Sequence, residues 1–112
     1  MSKTTHINNI EKLEELLKTE EAILLYFSTT SCNVGEAFEP KVKSLLATNF
    51  PKINFYHIDL NFSPEIAANY SVFVEPTILV FFEGKETIRK SRAIGIFELE
   101  EALKKPYQLI FE

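Results

Sequence analysis

The chain has a single cysteine, Cys32, among its 112 residues. It follows the apolar run 22–27 and the polar turn Ser28-Thr29-Thr30-Ser31, and a helical pattern follows it. A thiol where a strand hands over to a helix lies near the positive end of the helix field. That field favours the thiolate, the nucleophile of disulfide exchange. Three places on, where a two-cysteine site carries its second thiol, stands Gly35. The chain therefore has the setting for a reactive thiol and cannot close a disulfide within itself. A mixed disulfide formed at Cys32 needs an outside thiol to release it. The other reading of the same residue is a small, inert apolar side chain.

Other chemistries find little support. His6 and His57, with one cysteine, make no metal-ligand spacing. Neither a Gly-rich phosphate loop nor a Ser-His-Asp order nor a paired-carboxylate motif stands out, so no metal and no cofactor is expected. The formal net charge is −4 and the Lys and Arg residues are scattered, which argues against a nucleic-acid partner. A free thiol suits a reducing compartment. The stretch Met1–His6 lacks the apolar core of a secretory signal, and the apolar run 77–82 is too short to cross a bilayer. A cytoplasmic monomer without membrane association is expected.

The elements that must position Cys32 follow from periodicity. A first helix is expected from Asn8, with Glu11 as capping-box partner and Ile10, Leu13, Leu16 and Leu17 on one face. Residues 22–27 suit a central strand buried on both faces. A second helix from Cys32 to Thr48 buries Phe38, Val42, Leu45 and Leu46 and contains Pro40, which should kink it. Ile53 to Asp59 alternates as a strand. Ser63 and Pro64 open a short helix. Thr77 to Phe82 is a buried strand, Glu83-Gly84-Lys85 a tight turn, and Glu86 to Arg92 a more polar edge strand. Ile96, Leu99 and Leu103 mark a last helix that Pro106 should end, leaving Tyr107 to Phe111 as an apolar tail. The predicted class is α/β over residues 1–112 as one domain: three layers, α/β/α, around a mixed central sheet with a C-terminal antiparallel hairpin.

This order and its local motifs resemble the thioredoxin family from about Asn9 to Lys104. The motifs are the strand into Cys32, Pro40 in the next helix, His57-Ile58-Asp59, Pro64, and Val74-Glu75-Pro76-Thr77 before an apolar strand. The last resembles the family's cis-proline loop, which lies beside the reactive cysteine. The family's Trp-Cys-Gly-Pro-Cys reads here Ser31-Cys32-Asn33-Val34-Gly35, so the nucleophile position is kept and the resolving position is not. Tyr26 matches the family's buried acid, and His57 the lysine near it. Their side chains are expected to form a structural pair through a hydroxyl–imidazole hydrogen bond. Arg92 matches a groove glycine, and Glu75 the apolar residue before the cis-proline.

The resemblance implies thiol–disulfide exchange and cell redox homeostasis through mixed disulfides at Cys32. Glu75, Pro76 and Arg92 would line the binding groove. Glu75 and Arg92 would either flank the thiol or pair with each other. Partners would be protein or low-molecular-weight thiols and disulfides, glutathione among them. Standard dithiol reductase activity is not expected. The alternative is a non-catalytic thioredoxin-fold module that binds a protein partner.

Overall fold

The computed structural model of the chain describes residues 5–29 and 33–112. In chain order the elements are β1 (Thr5–His6), α1 (Ile10–Thr19), β2 (Ala22–Ser28), α2 (Asn33–Asn49), β3 (Asn54–Asp59), α3 (Pro64–Asn69), β4 (Thr77–Phe82), β5 (Lys85–Ser91) and α4 (Ile96–Phe111). The strands form one mixed sheet in the order β1-β3-β2-β4-β5. β3 runs parallel to both β1 and β2, while β4 is antiparallel to β2 and β5 to β4.

Strand alternation divides the interior into two layers. Ala22, Leu24 and Tyr26 of β2 and Ile78, Val80 and Phe82 of β4 pack with Val42, Leu45 and Leu46 of α2 and Leu99, Leu103 and Tyr107 of α4. Ile23, Leu25, Phe27, Leu79 and Phe81 point the other way, onto Leu13 of α1 and Ile66 and Ala67 of α3. All seven residues of β2 are buried. A continuous apolar run, rather than an alternating one, is what a strand covered on both faces requires.

Three local features differ from the sequence expectation. The first helix is capped by Asn9, whose side chain accepts from the Lys12 amide at 2.9 Å, so the start falls one residue later than Asn8 and Glu11 is not the capping-box partner. The cause is Ile7. It is buried, and its N–H donates to the His57 carbonyl at 3.0 Å, which keeps the chain extended to that point. The same contacts create β1, whose two residues are too few for any periodic signal.

The third difference is at Pro106, which does not end the last helix. α4 continues through it to Phe111. A proline inside a helix costs about 3 kcal/mol. Against this, Tyr107 is buried edge-on to Phe50, its hydroxyl accepts from the Lys52 N–H at 3.2 Å, and Ile110 and Phe111 pack on the same core. Burial at about 1.5–3 kcal/mol per large side chain offsets the proline.

The hairpin turn is the two residues Glu83 and Gly84, both at positive φ, 53° and 78°. That is the backbone a tight two-residue hairpin needs. A Cβ on Gly84 would also come within 3.2 Å of the Leu17 carbonyl oxygen, so glycine is required there on two counts.

The packing of α4 yields a test. Truncation after Pro106 and Tyr107→Ala should each lower stability by about 3 kcal/mol in urea unfolding. A loss below about 0.5 kcal/mol for the truncation would mark residues beyond Pro106 as an appendage rather than core.

Candidate functional site

The C-terminal end of β2 is where the sheet delivers its polar groups. Cys32 lies outside the described residues; α2 begins at Asn33, and Gly35 falls in its first turn. The described part of the site is therefore the frame around that position: Thr29 at the end of β2, the segment Val74–Thr77 ahead of β4, and the residues just after β5.

The segment Val74–Thr77 is held by several polar contacts. The Glu75–Pro76 peptide bond is cis. The Thr77 hydroxyl donates to the Val74 carbonyl at 2.7 Å and lies 3.2 Å from the Ser91 hydroxyl. The Glu75 carboxylate accepts two hydrogen bonds from Thr29, from its N–H at 2.8 Å and from its hydroxyl at 3.3 Å. Thr29 is buried and Glu75 half-buried. A carboxylate accepting a backbone N–H makes a charge-assisted bond, about twice as strong as a neutral one. The loop before Pro76 is thus tied to the residue three places before Cys32.

Arg92 joins the same frame through its backbone. Its N–H donates to the Pro76 carbonyl at 2.9 Å, and its own carbonyl accepts from Ile94 at 2.8 Å. Its φ is 64°, in the left-handed region that glycine occupies without penalty and other residues at a cost of about 1–2 kcal/mol. The structure brings Glu75, Pro76 and Arg92 together, but no ion pair joins Glu75 to Arg92. Of the two arrangements the sequence left open, pairing is not found; the Glu75 carboxylate is taken by Thr29.

Beneath the frame lies a buried imidazole. His57 bonds Ser28 through Nε2 at 2.9 Å and faces His6 through Nδ1, also a ring nitrogen, at 3.0 Å. Tyr26 stacks on the His57 ring at 6.2 Å rather than meeting it through the hydroxyl. The expected Tyr26–His57 hydrogen bond is therefore replaced by Ser28 and His6 as partners, because residues 26 and 57 are register neighbours on parallel strands and present their rings side by side. Burial holds the His57 pKa below the ordinary histidine value. Glu39 and Asp59 pull it up, while His6 and Lys43 add to the lowering.

Sequence reasoning overlooked Thr29, Ser28, His6 and Glu39 as polar partners. Ser28 and Thr29 did carry a signal, as hydroxyl residues ending an otherwise apolar strand. His6 carried none, since it meets His57 only through the β1–β3 pairing.

Two depressions among the described residues bear on where the site lies. A shallow apolar one of about 260 Å³ lies beside the frame, lined by Leu60, Pro64, Ala67, Ala68, Val72 and Phe73. A larger one of about 670 Å³, bounded by Glu14, Glu20, Glu21 and Glu83, sits at the opposite end of β2 and β4, away from Thr29 and Glu75. The location of the polar frame, not cavity size, singles out the candidate site. Among the described residues no three His, Cys, Asp or Glu side chains converge as a metal-ligand set. No described helix is long and apolar enough to cross a membrane.

Known proteins resemble this chain in sequence and in fold. The thioredoxin family profile matches residues 3–105. The thioredoxin-like protein YdfQ of Bacillus subtilis is 31% identical over 109 residues, covering 97% of this chain and 96% of that one. A monothiol glutaredoxin of Arabidopsis thaliana is 31% identical over 74 residues, 66% of this chain and 15% of its own length. Among solved structures, mitochondrial thioredoxin 3 from Saccharomyces cerevisiae in its oxidized form superposes with a TM-score of 0.83 at 24% identity, covering 90% of this chain and 93% of that one.

The Glu75–Thr29 contact can be tested by substitution. Glu75→Ala removes the acceptor of the buried Thr29 N–H and should cost about 1–3 kcal/mol. Glu75→Gln keeps one acceptor oxygen and should cost clearly less. Amide exchange at Thr29 should accelerate in the alanine variant and stay near wild type in the glutamine one. Equal exchange in all three proteins would show that the contact does not hold this loop.

Proposed function

Because the chain belongs to the thioredoxin family, we propose that it acts in thiol–disulfide exchange through Cys32 alone, as a monothiol variant. The observation that carries this reading is the only cysteine standing at the family's nucleophile position while Gly35 stands where the resolving cysteine would be. The Cys32 thiolate attacks one sulfur of a disulfide, forms a mixed disulfide, and releases the other sulfur as a thiolate. A second, external thiolate then attacks the mixed disulfide. It leaves as part of a new disulfide, and Cys32 regains its electron pair. The external thiol stands in for the residue that Gly35 replaces.

Protein thiols and low-molecular-weight thiols both fit that second step. Glutathione is the candidate that the relative named as a monothiol glutaredoxin supports. Glu75, Pro76 and Arg92 line the groove in this reading, with the backbone beside Pro76 free to pair with an extended peptide. The proposed setting is the reducing cytoplasm, where a lone thiol persists.

A second reading is favoured by one observation. Phe73, just before Val74-Glu75-Pro76, is 80% exposed, and Phe62 is 78% exposed. Large apolar side chains left in water, Phe73 among them at the rim of the shallow depression, suit a partner-binding module. In that reading Cys32 is inert.

Alkylation of Cys32 by iodoacetamide as a function of pH separates the two. The monothiol reading expects a midpoint below about 8.5, the value for an unperturbed thiol. It also expects no turnover in insulin reduction with thioredoxin reductase, and some turnover from Gly35→Cys. A midpoint at or above the unperturbed value supports the binding module. Robust reductase-dependent turnover by the wild-type protein would overturn the monothiol mechanism.

A further inference from the structure

The contact between His6 and His57 has a property that neither residue has alone. The two are register partners across β1 and β3, with their Nδ1 atoms 3.0 Å apart and their rings edge to face. Two ring nitrogens at that distance share one proton: one donates and the other must offer a lone pair. On its other side, His57 Nε2 meets the Ser28 hydroxyl, which either donates or accepts and so suits either tautomer. One added proton is tolerated. Whichever ring carries it donates from its Nδ1 to the other; if that ring is His57, its Nε2 donates toward Ser28, with a Glu39 oxygen 3.9 Å away. A second added proton removes the last lone pair, and the hydrogen bond becomes a contact between two cations.

We propose that the His6–His57 pair is a proton-operated latch that holds β1 on the sheet while at most one ring is protonated and releases it when both are. The element that yields is β1. It has two residues, it pairs only with β3 among the described strands, and His6 is exposed. His57 cannot move as easily, since β3 is flanked on its other side by β2 and the ring is stacked by Tyr26. The side chain of Ile7 is buried and stays in the core, while its N–H, which belongs to the His6–Ile7 peptide, leaves the His57 carbonyl as β1 is released. Elements of low local stability open without global unfolding, which makes such a release physically separable from denaturation.

The groups facing His57 from every side set the sign. Burial lowers its pKa, His6 from β1 and Lys43 from α2 lower it further, and Glu39 from α2 and Asp59 from its own strand oppose them. Tyr26 of β2 presents a neutral ring. The folded-state value thus lies below that of the unfolded chain, near 6.5. The stabilising contribution is then full above about pH 6.5 and is lost as pH falls through that value toward the folded one. The latch is closed above about pH 6.5 and opens as pH falls below it.

Amide hydrogen exchange followed by NMR tests this on the intact protein at about pH 7.5 and about pH 5. The reporter is the Ile7 amide, which donates to the His57 carbonyl; Leu79, in the centre of β4, is the reference. Protection factors, corrected for intrinsic exchange, should fall about tenfold or more at Ile7 in acid while Leu79 holds. His6→Phe keeps an aromatic edge over His57 but takes up no proton, and should abolish the acid-dependent loss. His6→Gln, which retains a hydrogen-bonding group and does not titrate, should do the same and serves if the phenylalanine variant is unstable. Unchanged protection at Ile7 in the wild-type protein overturns the latch. So does an equal acid-dependent loss in both His6 variants, or a fall at Leu79 as large as that at Ile7.

Discussion

Burial of β2 on both faces is the constraint from which the rest of the structure follows. Seven consecutive side chains, from Ala22 to Ser28, are removed from water. No single helical layer can cover two faces, so α2 and α4 must lie on one side and α1 and α3 on the other. A strand buried on both faces also has no solvent for its backbone, and its ladder groups must be taken by neighbours. β3 supplies them on one edge and β4 on the other. The three layers, the mixed sheet and the crossovers are consequences of that one run of apolar residues.

The same constraint creates the polar frame at the end of the strand. Ser28 and Thr29 are the points at which apolar packing stops, and both are still buried. Buried hydroxyls and amides need partners. Ser28 reaches His57 within the interior, and Thr29 reaches Glu75 across the loop that precedes β4. The carboxylate so placed is held by a backbone N–H, and the N–H is held by it. The Glu75–Pro76 loop, the β2 terminus and, through Arg92, the end of β5 therefore behave as one unit.

This division explains what was legible in the amino-acid order. Elements built from periodic burial were readable: the continuous run 22–27, the stripe of Val42, Leu45 and Leu46, and the turn signal at Glu83-Gly84. Elements decided by one tertiary contact were not. β1 exists because His6 and Ile7 meet β3, and two residues carry no period. Asn9 rather than Asn8 caps α1 because Ile7 is drawn into the core. Pro106 reads as a terminator in isolation, and only the burial of Tyr107 against Phe50 shows that the helix continues. Around the candidate site, the family resemblance suggested Glu75, Pro76 and Arg92 as neighbours, and Arg92 does bond the Pro76 carbonyl. The direction of the Glu75 carboxylate could not be anticipated, because it depends on Thr29, 46 residues away.

Tyr26 and His57 stand where the resemblance implies a buried acid and a nearby lysine, and with these two side chains charge resides elsewhere. A buried ion pair is costly to desolvate and loses several kcal/mol, about 3–5, if one partner is removed. Tyr26 places no obligatory charge in the core and instead stacks on Phe55 and His57. His57, held toward its neutral form by burial, adds none at neutral pH. Among the charges near the frame are Glu75, half-buried and bound to Thr29, and Arg92, in solvent. Under the monothiol reading this is chemically coherent. A site without a second thiol has no internal proton to collect when a mixed disulfide resolves, because the external thiol brings its own solvent-exposed proton. The interior is then free to be optimised for packing, while the rim retains the electrostatics that select what binds.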